Sequence, residues 1–240
     1  LNFLMVSSDV VSGDTVLMRI AKGDGSALDT YSFTPTISVV GGGLQINSSS
    51  QSALASNVSS ITVTSCTVSG SDKLLVACVT WTNPAFATTC DAVSFGGTGM
   101  TSTGAAASID DGFVFTRSQI WTLINPATTT ATVVATFSDT GNAGNVGAMS
   151  FIGAHQTVPV STLATSTGTS VTPSVVVSGA VGDIVIDAMC ANAGPTATAG
   201  AGQTEFFSAV STAFHRGAGS TEDGAASVTM SWTLGTSQRW

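Results

Sequence analysis

The residues that could perform acid–base or nucleophilic chemistry are few and scattered along the chain. The two histidines are His155, in GAHQTVP, and His215, in AFHRG, and both patterns predict loops. Catalysis requires a nucleophile beside a base, or two acids with separated pKa values. Neither histidine has such a neighbour in the sequence, and no nucleophile elbow, P-loop or zinc motif is present. The sequence therefore predicts a non-enzymatic protein with no catalytic residues and no cofactor.

Metal binding has little support in the residue pattern. Asp110 and Asp111, followed by Gly112, could give oxygen ligands to calcium, but an acidic turn between two strands is the simpler interpretation. The cysteines are separated by 12, 12 and 100 residues, which fits no close-paired zinc spacing; they are Cys66, Cys78, Cys90 and Cys190. No metal site is predicted.

Aromatic residues offer a possible sugar-binding surface. Phe206 and Phe207 are adjacent, so on a regular strand they point to opposite faces and one ring could stay exposed for stacking on a glycan. Trp121 and Trp232 lie inside strand patterns and are predicted to be core residues. A carbohydrate-binding module is therefore one alternative function, with Phe206 and Phe207 as its glycan contacts.

The composition indicates an all-β protein with an unusually uncharged surface. Of 240 residues, 43% are hydrophobic and only 8% are charged, against about 25% in ordinary soluble domains. Thr and Val favour strands and Gly favours turns. The net charge of −8 leaves no basic patch for nucleic acid, and no apolar run approaches the ~20 residues of a membrane span. Such a surface is typical of virion, extracellular or cell-surface proteins.

An internal repeat organises most of the chain. Val68–Trp81, VSGSDKLLVACVTW, is echoed by Val177–Met189, VSGAVGDIVIDAM, and about fifty residues later Ala131–Ser138 is echoed by Ala226–Thr233. Two pseudo-repeats, about 60–153 and 170–240, are predicted to form an antiparallel, two-sheet, jelly-roll-like sandwich over residues 60–240. The two long apolar runs are interpreted as matched central strands, and Glu205–Ala213 as the counterpart of the strand that contains Trp121.

The repeat also predicts a possible disulfide. Cys78 and Cys190 lie near corresponding places in the two halves, and an even cysteine count suits a bridge in an extracellular protein. The alternative is four small, buried hydrophobic residues.

The second half is one strand short when it is measured against the first. After ATVVATFS comes the apolar segment VGAMSFI, whereas after ASVTMSWT only Leu234–Trp240 follows. An unpaired sheet position invites a strand from elsewhere. Three sources are open: a continuation of the polypeptide, the chain's own N-terminal segment, or the N-terminal strand of a neighbouring subunit.

The first 43 residues are predicted to be a separate β-hairpin that attaches the protein to its neighbours, followed by a Ser-rich linker over 44–59. DTVLMRI and YSFTPTISVV alternate apolar and polar residues, as half-buried strands do. The predicted assembly contacts are Phe3, Leu4, Val6, Tyr31, Phe33 and Ile37.

The segments VSGSDKLLVACVTW, DAVSFGGTGMT, IWTLINPATTTATVVATFS and GAGSTEDGAASVTMSWTLGTSQRW resemble a β-sandwich domain of phage structural proteins and bacterial surface proteins. The resemblance covers about residues 60–240 and implies a fold without catalytic residues. It also implies one further strand after the SQRW-like segment. The favoured function is a structural component of a phage particle (tail, fibre or capsid decoration) that binds itself and other virion proteins. A secreted filament subunit that polymerises by donated strands is a second alternative.

Overall fold

The computed structural model describes residues 16–20, 29–33, 43–84, 88–110, 114–161, 163–211 and 214–240. Every regular element in these ranges is a β-strand, and all pairings are antiparallel, as the sequence predicts. The chain divides into two compact units, Leu1–Gly42 and Gly43–Trp240. In the first unit, β1 (Val16–Ile20) pairs with β2 (Asp29–Phe33), with Val16 opposite Phe33.

The first half of the larger unit is a sandwich of a long central sheet and a shorter outer sheet. Its strands are β3 (Gln45–Gln51), β4 (Ala55–Val58), β5 (Ser60–Val68), β6 (Leu74–Asn83), β7 (Cys90–Phe95), β8 (Thr98–Gly99), β9 (Thr101–Ser102), β10 (Ala107–Asp110), β11 (Phe115–Ile124), β12 (Thr129–Phe137) and β13 (Asn142–Ile152). The central sheet has the order β10-β11-β6-β13-β3, with β9 paired to β11 and β4 to β13, and the outer sheet has the order β5-β12-β7-β8.

The segment interpreted as a linker is part of the central sheet. β3 pairs with β13 from Gly147 opposite Gln51 to Ile152 opposite Gln45, and β4 pairs with the start of β13. Residues 45–58 therefore extend the first sandwich toward the N-terminus of the unit, and the linker interpretation is wrong for them.

The second half repeats this arrangement with shorter strands. They are β14 (Thr169–Ser170), β15 (Ser174–Val177), β16 (Ile184–Ile186), β17 (Met189–Ala191), β18 (Ala197–Ala199), β19 (Thr204–Ser211), β20 (His215–Asp223), β21 (Val228–Leu234) and β22 (Gln238–Arg239). β16 and β17 both pair with β20, whose other side pairs with β19; together they form the inner sheet. The outer strands have the order β15-β21-β18, and β14 pairs with β22.

Strand order identifies the counterparts in the two halves. In the outer sheets, the order β5-β12-β7 corresponds to β15-β21-β18. In the inner sheets, β10 corresponds to β19, β11 corresponds to β20, and β6 corresponds to β16 together with β17. The counterpart of β11 is therefore β20. Of the segment Glu205–Ala213, interpreted as that counterpart, residues 205–211 lie in β19, which matches β10 instead. In the described residues β13 has no counterpart in the second half.

Three hydrophobic clusters hold the sheets together in four layers. The largest lies between the outer and central sheets of the first half, where Trp81 and Phe137 pack with ring centroids 5.4 Å apart. The second joins β6 and β13 to the inner sheet of the second half, and the third joins that sheet to β18 and β21. All ten residues of β6 are buried because sheets cover both of its faces. Trp121 and Trp232 are core residues, as predicted.

Candidate functional site

The inner sheet of the second half ends in an open edge. β16 and β17 pair with β20 on one side, and within the described ranges no strand pairs with their other side. In the first half, the equivalent strand β6 is flanked by both β11 and β13. A row of unpaired backbone groups is a template for another strand. This edge is therefore the feature of the molecule best suited to bind a partner.

The hydrogen bonds of this strand show which backbone groups face the open edge. The C=O of Asp183 accepts a hydrogen bond of 2.8 Å from the N–H of Gly224, just after β20. The N–H of Asp187 donates one of 3.0 Å to the C=O of Ser220 in β20. Along an antiparallel strand, residues bonded to one neighbour alternate with residues that face the other way. Ile184 and Ile186 lie between these bonds, so their N–H and C=O groups point to the open edge.

One hydrogen bond marks where a strand along this edge would begin. The N–H of Asn192, just after β17, donates to the C=O of Arg239 at 3.0 Å. The comparable place in the first half is the pair Thr82 and Ala143, where β13 starts to run along β6. Trp240 is fixed next to β14 by two backbone hydrogen bonds of 3.0 and 3.1 Å. The first rung of a ladder is thus present, and in the described part of the chain no strand pairs with the edge beyond it.

An apolar groove of about 370 Å³ runs beside the open edge. β16 and β17 line it along their length, β11 contributes Ile120, and β21 contributes Met230 and Trp232. The connector between the halves lines the remaining side with residues 158–161 and 163–167, of which Val158 is 66% exposed. The groove therefore lies between the central sheet and the outer strands, in the layer where a counterpart of β13 would be.

A partly buried carboxylate anchors the residues between β16 and β17. Asp187 Oδ1 accepts hydrogen bonds from the N–H and Oγ of Ser220 at 2.6 and 2.9 Å, and Oδ2 accepts one from Trp232 Nε1 at 2.6 Å. Burial raises the pKa of Asp187 to about 6, although these hydrogen bonds oppose that rise. Asp187 therefore ties the edge strand to both β20 and the outer sheet.

A chain of buried polar groups joins the two halves of the unit. Thr80 Oγ1 donates to Asn145 Oδ1 at 2.6 Å, and His215 Nε2 lies 3.1 Å from the same oxygen. The other ring nitrogen, Nδ1, lies 3.7 Å from Cys190 Sγ. His215 was predicted to be a loop residue, but it starts β20 and is fully buried. The sequence around it, AFHRGAGS, shows no apolar alternation that would have revealed this.

The protonation states of this Cys–His pair are set by burial. Burial, with a smaller contribution from Arg216, lowers the pKa of His215 to about 3. Burial also raises the pKa of the Cys190 thiol to about 12. A cysteine nucleophile works as a thiolate, which an adjacent imidazolium stabilises. Both groups are held neutral here, so the pair is suited to packing and hydrogen bonding.

The predicted disulfide between Cys78 and Cys190 is not formed, and all four cysteines are free and buried. Cys78 Sγ lies 3.8 Å from the C=O of Asp187, whereas Cys190 Sγ lies 3.5 Å from the C=O of Trp81. The two strands do face each other, but the cysteines are offset by three residues along them, which is about 10 Å. A disulfide needs Cα atoms within about 7 Å.

We expect the native protein to resist thiol reagents. Burial raises the pKa of Cys66 to about 11 and that of Cys90 to about 12, with Cys78 raised further still. Ellman's reagent near neutral pH should therefore label native thiols at least ~100-fold more slowly than free cysteine. After denaturation without a reductant, four thiols should react. Only two reactive thiols after denaturation would contradict the free-cysteine state.

Phe206 and Phe207 do not form the predicted glycan platform. The register of β19 shifts between Glu205 and Phe207, so Phe206 is the extra residue of a β-bulge. The two rings consequently pack together, edge to face, with centroids 4.9 Å apart. Phe207 is 2% exposed, and Phe206 is half-buried against the same cluster as Phe207. The expectation of one exposed ring assumed regular alternation, which the bulge removes.

The other predicted site residues are less informative. His155 lies in the connector, where its Nδ1 accepts a hydrogen bond from the N–H of Val158 at 3.0 Å. Asp111, Phe3, Leu4, Val6 and Ile37 lie outside the described residues, as do the side chains of Asp110, Tyr31 and Phe33. Among the described residues, no group of three or more His, Cys, Asp or Glu is placed to hold a metal ion.

The chain matches no protein-family model, no curated protein and no solved structure. The resemblance to phage and bacterial surface domains therefore stays a prediction. In the described part of the chain there is no helix of the length and apolarity that a membrane span requires.

Proposed function

We propose that the protein is a non-enzymatic structural subunit that assembles with copies of itself by β-strand addition. The observation that carries the proposal is the open edge formed by β16 and β17 beside an apolar groove. The first half of the same unit has β13 at this position, with ten of its eleven residues buried. Among the described residues no strand lies at this edge, so it presents both backbone groups and apolar surface, and strand addition satisfies both.

The nature of the buried polar groups supports a structural role. Asp187, His215 and Cys190 bond to neighbouring strands and tie sheets together. His215 and Cys190 are held in the neutral forms that suit packing. The low content of charged side chains, 8%, favours a phage particle component over a cytosolic protein. A secreted filament subunit has the same assembly chemistry and is the alternative.

The test is the mass of the full chain as a function of concentration. Analytical ultracentrifugation should show oligomers that grow with concentration, and electron microscopy should show whether they are filaments, fibres or particle-like assemblies. Removal of residues 1–12, which contain Phe3, Leu4 and Val6, should abolish assembly and leave folded monomers. A full chain that stays monomeric at every concentration up to its solubility limit would overturn the proposal.

A further inference from the structure

A hydroxyl between the two sheets of the second half is held between a carboxamide and a carboxylate. Gln203 Nε2 donates a hydrogen bond to Ser220 Oγ at 2.6 Å, and Ser220 Oγ donates one to Asp187 Oδ1 at 2.9 Å. Ser220 lies in β20 and is fully buried, and Gln203 directly precedes β19. A nucleophile beside both a base and an acyl group is the arrangement that acyl transfer requires.

Asp187 is placed to act as a base toward this hydroxyl. Its Oδ1 also accepts a hydrogen bond from the N–H of Ser220 at 2.6 Å, and its Oδ2 accepts one from Trp232 Nε1 at 2.6 Å. These bonds hold the carboxylate against the hydroxyl. Burial raises the pKa of Asp187 to about 6, so near neutral pH it is ionised and is a stronger base than an ordinary carboxylate.

The carbonyl oxygen of Gln203 has the donors of an oxyanion hole. Oε1 accepts a hydrogen bond from the N–H of Ser231 at 2.7 Å, and Ser231 Oγ lies 3.4 Å from it. These donors orient the carboxamide, so that Nε2 faces Ser220. Because Cδ is bonded to Nε2, it lies within about 4 Å of Ser220 Oγ, near the ~3–3.5 Å from which a nucleophile attacks. A Cβ at Gly200 would lie 2.5 Å from Oε1, so glycine at this position leaves room for the carbonyl.

We propose that Ser220 and Gln203 react with each other to form an intramolecular ester, with Asp187 as the catalytic base. The carboxamide rotates about its Cγ–Cδ bond, Ser220 Oγ attacks Cδ, and Asp187 takes the hydroxyl proton. The N–H and Oγ of Ser231 stabilise the negative charge that develops on Oε1. The tetrahedral intermediate then expels Nε2, which takes the proton from Asp187 and leaves as ammonia.

The reaction replaces one C–N bond with one C–O bond. A carboxamide and an alcohol give an ester and one ammonia, no electrons are transferred, and Asp187 regains its charge. The ester forms once within each chain and needs neither a cofactor nor assembly, so it goes beyond the proposed function and is compatible with a structural subunit. It encloses residues 204–219, most of the β19–β20 hairpin, and such a cross-link stabilises a fold by restricting the unfolded chain.

A second glutamine–serine pair in the same chain is an internal control. Gln119 Nε2 donates to Ser102 Oγ at 2.9 Å, but this hydroxyl donates to the C=O of Gly104 at 2.7 Å. A backbone carbonyl does not take up a proton as a carboxylate does, so no ester is expected between Ser102 and Gln119.

Mass spectrometry of the folded full chain tests the proposal. The chain should be lighter than its sequence by about 17 Da, the mass of the ammonia that the acyl transfer releases. Trypsin cleaves after Arg216, between the two reacting residues, so residues 118–216 and 217–239 should stay joined in a digest of the denatured protein. Hydroxylamine, which cleaves esters, should separate them.

Variants assign the roles. Ser220→Ala and Gln203→Glu should each keep the full mass of their sequence. Asp187→Asn should accumulate the ester at least ~100-fold more slowly over the same incubation, because the general base is lost. Ser102→Ala, in the control pair, should lose ammonia as the native chain does.

The native chain decides the matter even where a variant fails to fold. A folded native chain that keeps its full mass after prolonged incubation would overturn the proposal. It would also be overturned by an ammonia loss that maps to other residues, such as a succinimide at an asparagine, or that persists in Ser220→Ala. None of these results depends on the oligomeric state, so the ester and the assembly are tested separately.

Discussion

Replacing Gly147 with alanine is expected to destabilise the larger unit by about 3 kcal/mol, near the upper end of the range for overpacked cores. Gly147 lies in the middle of β13, opposite Cys78 of β6. A Cβ at this position would lie 2.2 Å from Cδ1 and 2.5 Å from Cγ of the Phe207 ring. The same ring also fills the space that a Cβ at Gly219 of β20 would occupy, so Phe207 packs over two glycines. The two halves of the unit would therefore have to separate locally to admit one methyl group.

Urea unfolding followed by tryptophan fluorescence measures this effect, and Gly99→Ala is the matched control. Gly99 also lies in a short strand, but a Cβ there meets no atom within 4 Å. Its free energy of unfolding should change by less than about 0.5 kcal/mol. A second experiment combines Gly147→Ala with Phe207→Ala. Phe207→Ala by itself should lower the free energy of unfolding by about 3–5 kcal/mol.

The combined variant tests the cause of the loss. If the clash with the ring is responsible, the two losses will be strongly non-additive, because the second substitution removes the obstacle that the first one meets. Additive losses, or a Gly147→Ala protein as stable as Gly99→Ala, would show that Phe207 is not seated on this glycine.

The glycines and serines at this interface also explain which strands the sequence predicted and which it did not. β6 and β12 have long β-branched and apolar runs, and they were predicted from those runs. β20 reads HRGAGSTED because Gly217 and Gly219 must admit side chains from facing strands: a Cβ at Gly217 would lie 2.0 Å from Asn145 Oδ1. Strand propensity is low there because the facing sheets approach closely and leave room only for small residues. This requirement depends on two sheets and cannot be recognised from one segment of sequence.

The Ser-rich segment 45–58 was misinterpreted for a related reason. Its polar side chains find partners that are distant in sequence: Ser48 Oγ lies 2.9 Å from Ser150 Oγ, and Asn47 Nδ2 donates to Ser69 Oγ at 2.8 Å. Such hydrogen bonds replace the apolar alternation by which half-buried strands are usually found. Only the assembled sheet shows why these residues form a strand.

The sequence predicted that the second half has an unpaired sheet position, but not where that position lies. Comparison of the two halves predicted an unpaired sheet position in the second half, and in the described residues no strand corresponds to the apolar β13 there. It could not indicate which edge was open. The run around Ile184 and Ile186 is as apolar as a central strand, and it was interpreted as one. Those apolar residues pack against the second cluster and line the groove, but they are only half-buried, so an apolar run here does not mark a strand that is paired on both sides.

The pH dependence of stability should show two opposing contributions, from Asp187 and His215. The folded state raises the pKa of Asp187 from 3.8 to about 6 by burial. Its stabilising effect is therefore complete below pH 3.8 and is lost as the pH rises through 6. The folded state lowers the pKa of His215 from 6.5 to about 3. Its stabilising effect is present above pH 6.5 and is lost as the pH falls toward 3.

Between about pH 6 and pH 4 these two contributions change in opposite directions, each by at most about 1.4 kcal/mol per pH unit. The native protein should accordingly show a nearly constant free energy of unfolding across this window. Asp187→Asn removes the contribution that grows on acidification, so its stability should fall as the pH is lowered. His215→Gln keeps an N–H for Asn145 Oδ1 but cannot charge, so the stability of that variant should rise over the same window.

Urea denaturation at several pH values gives the slope of the free energy of unfolding against pH for each protein. Comparing these slopes removes the part of each substitution's effect that does not depend on pH. His155→Gln, which removes an exposed imidazole from the connector, is the matched control for His215→Gln. Equal slopes for the native protein and both core variants would show that neither buried group titrates with folding. Opposite slopes in the two variants would establish that a buried acid and a buried base, on two strands of one sheet, compensate each other's charging and hold the stability of the second sandwich constant in mild acid.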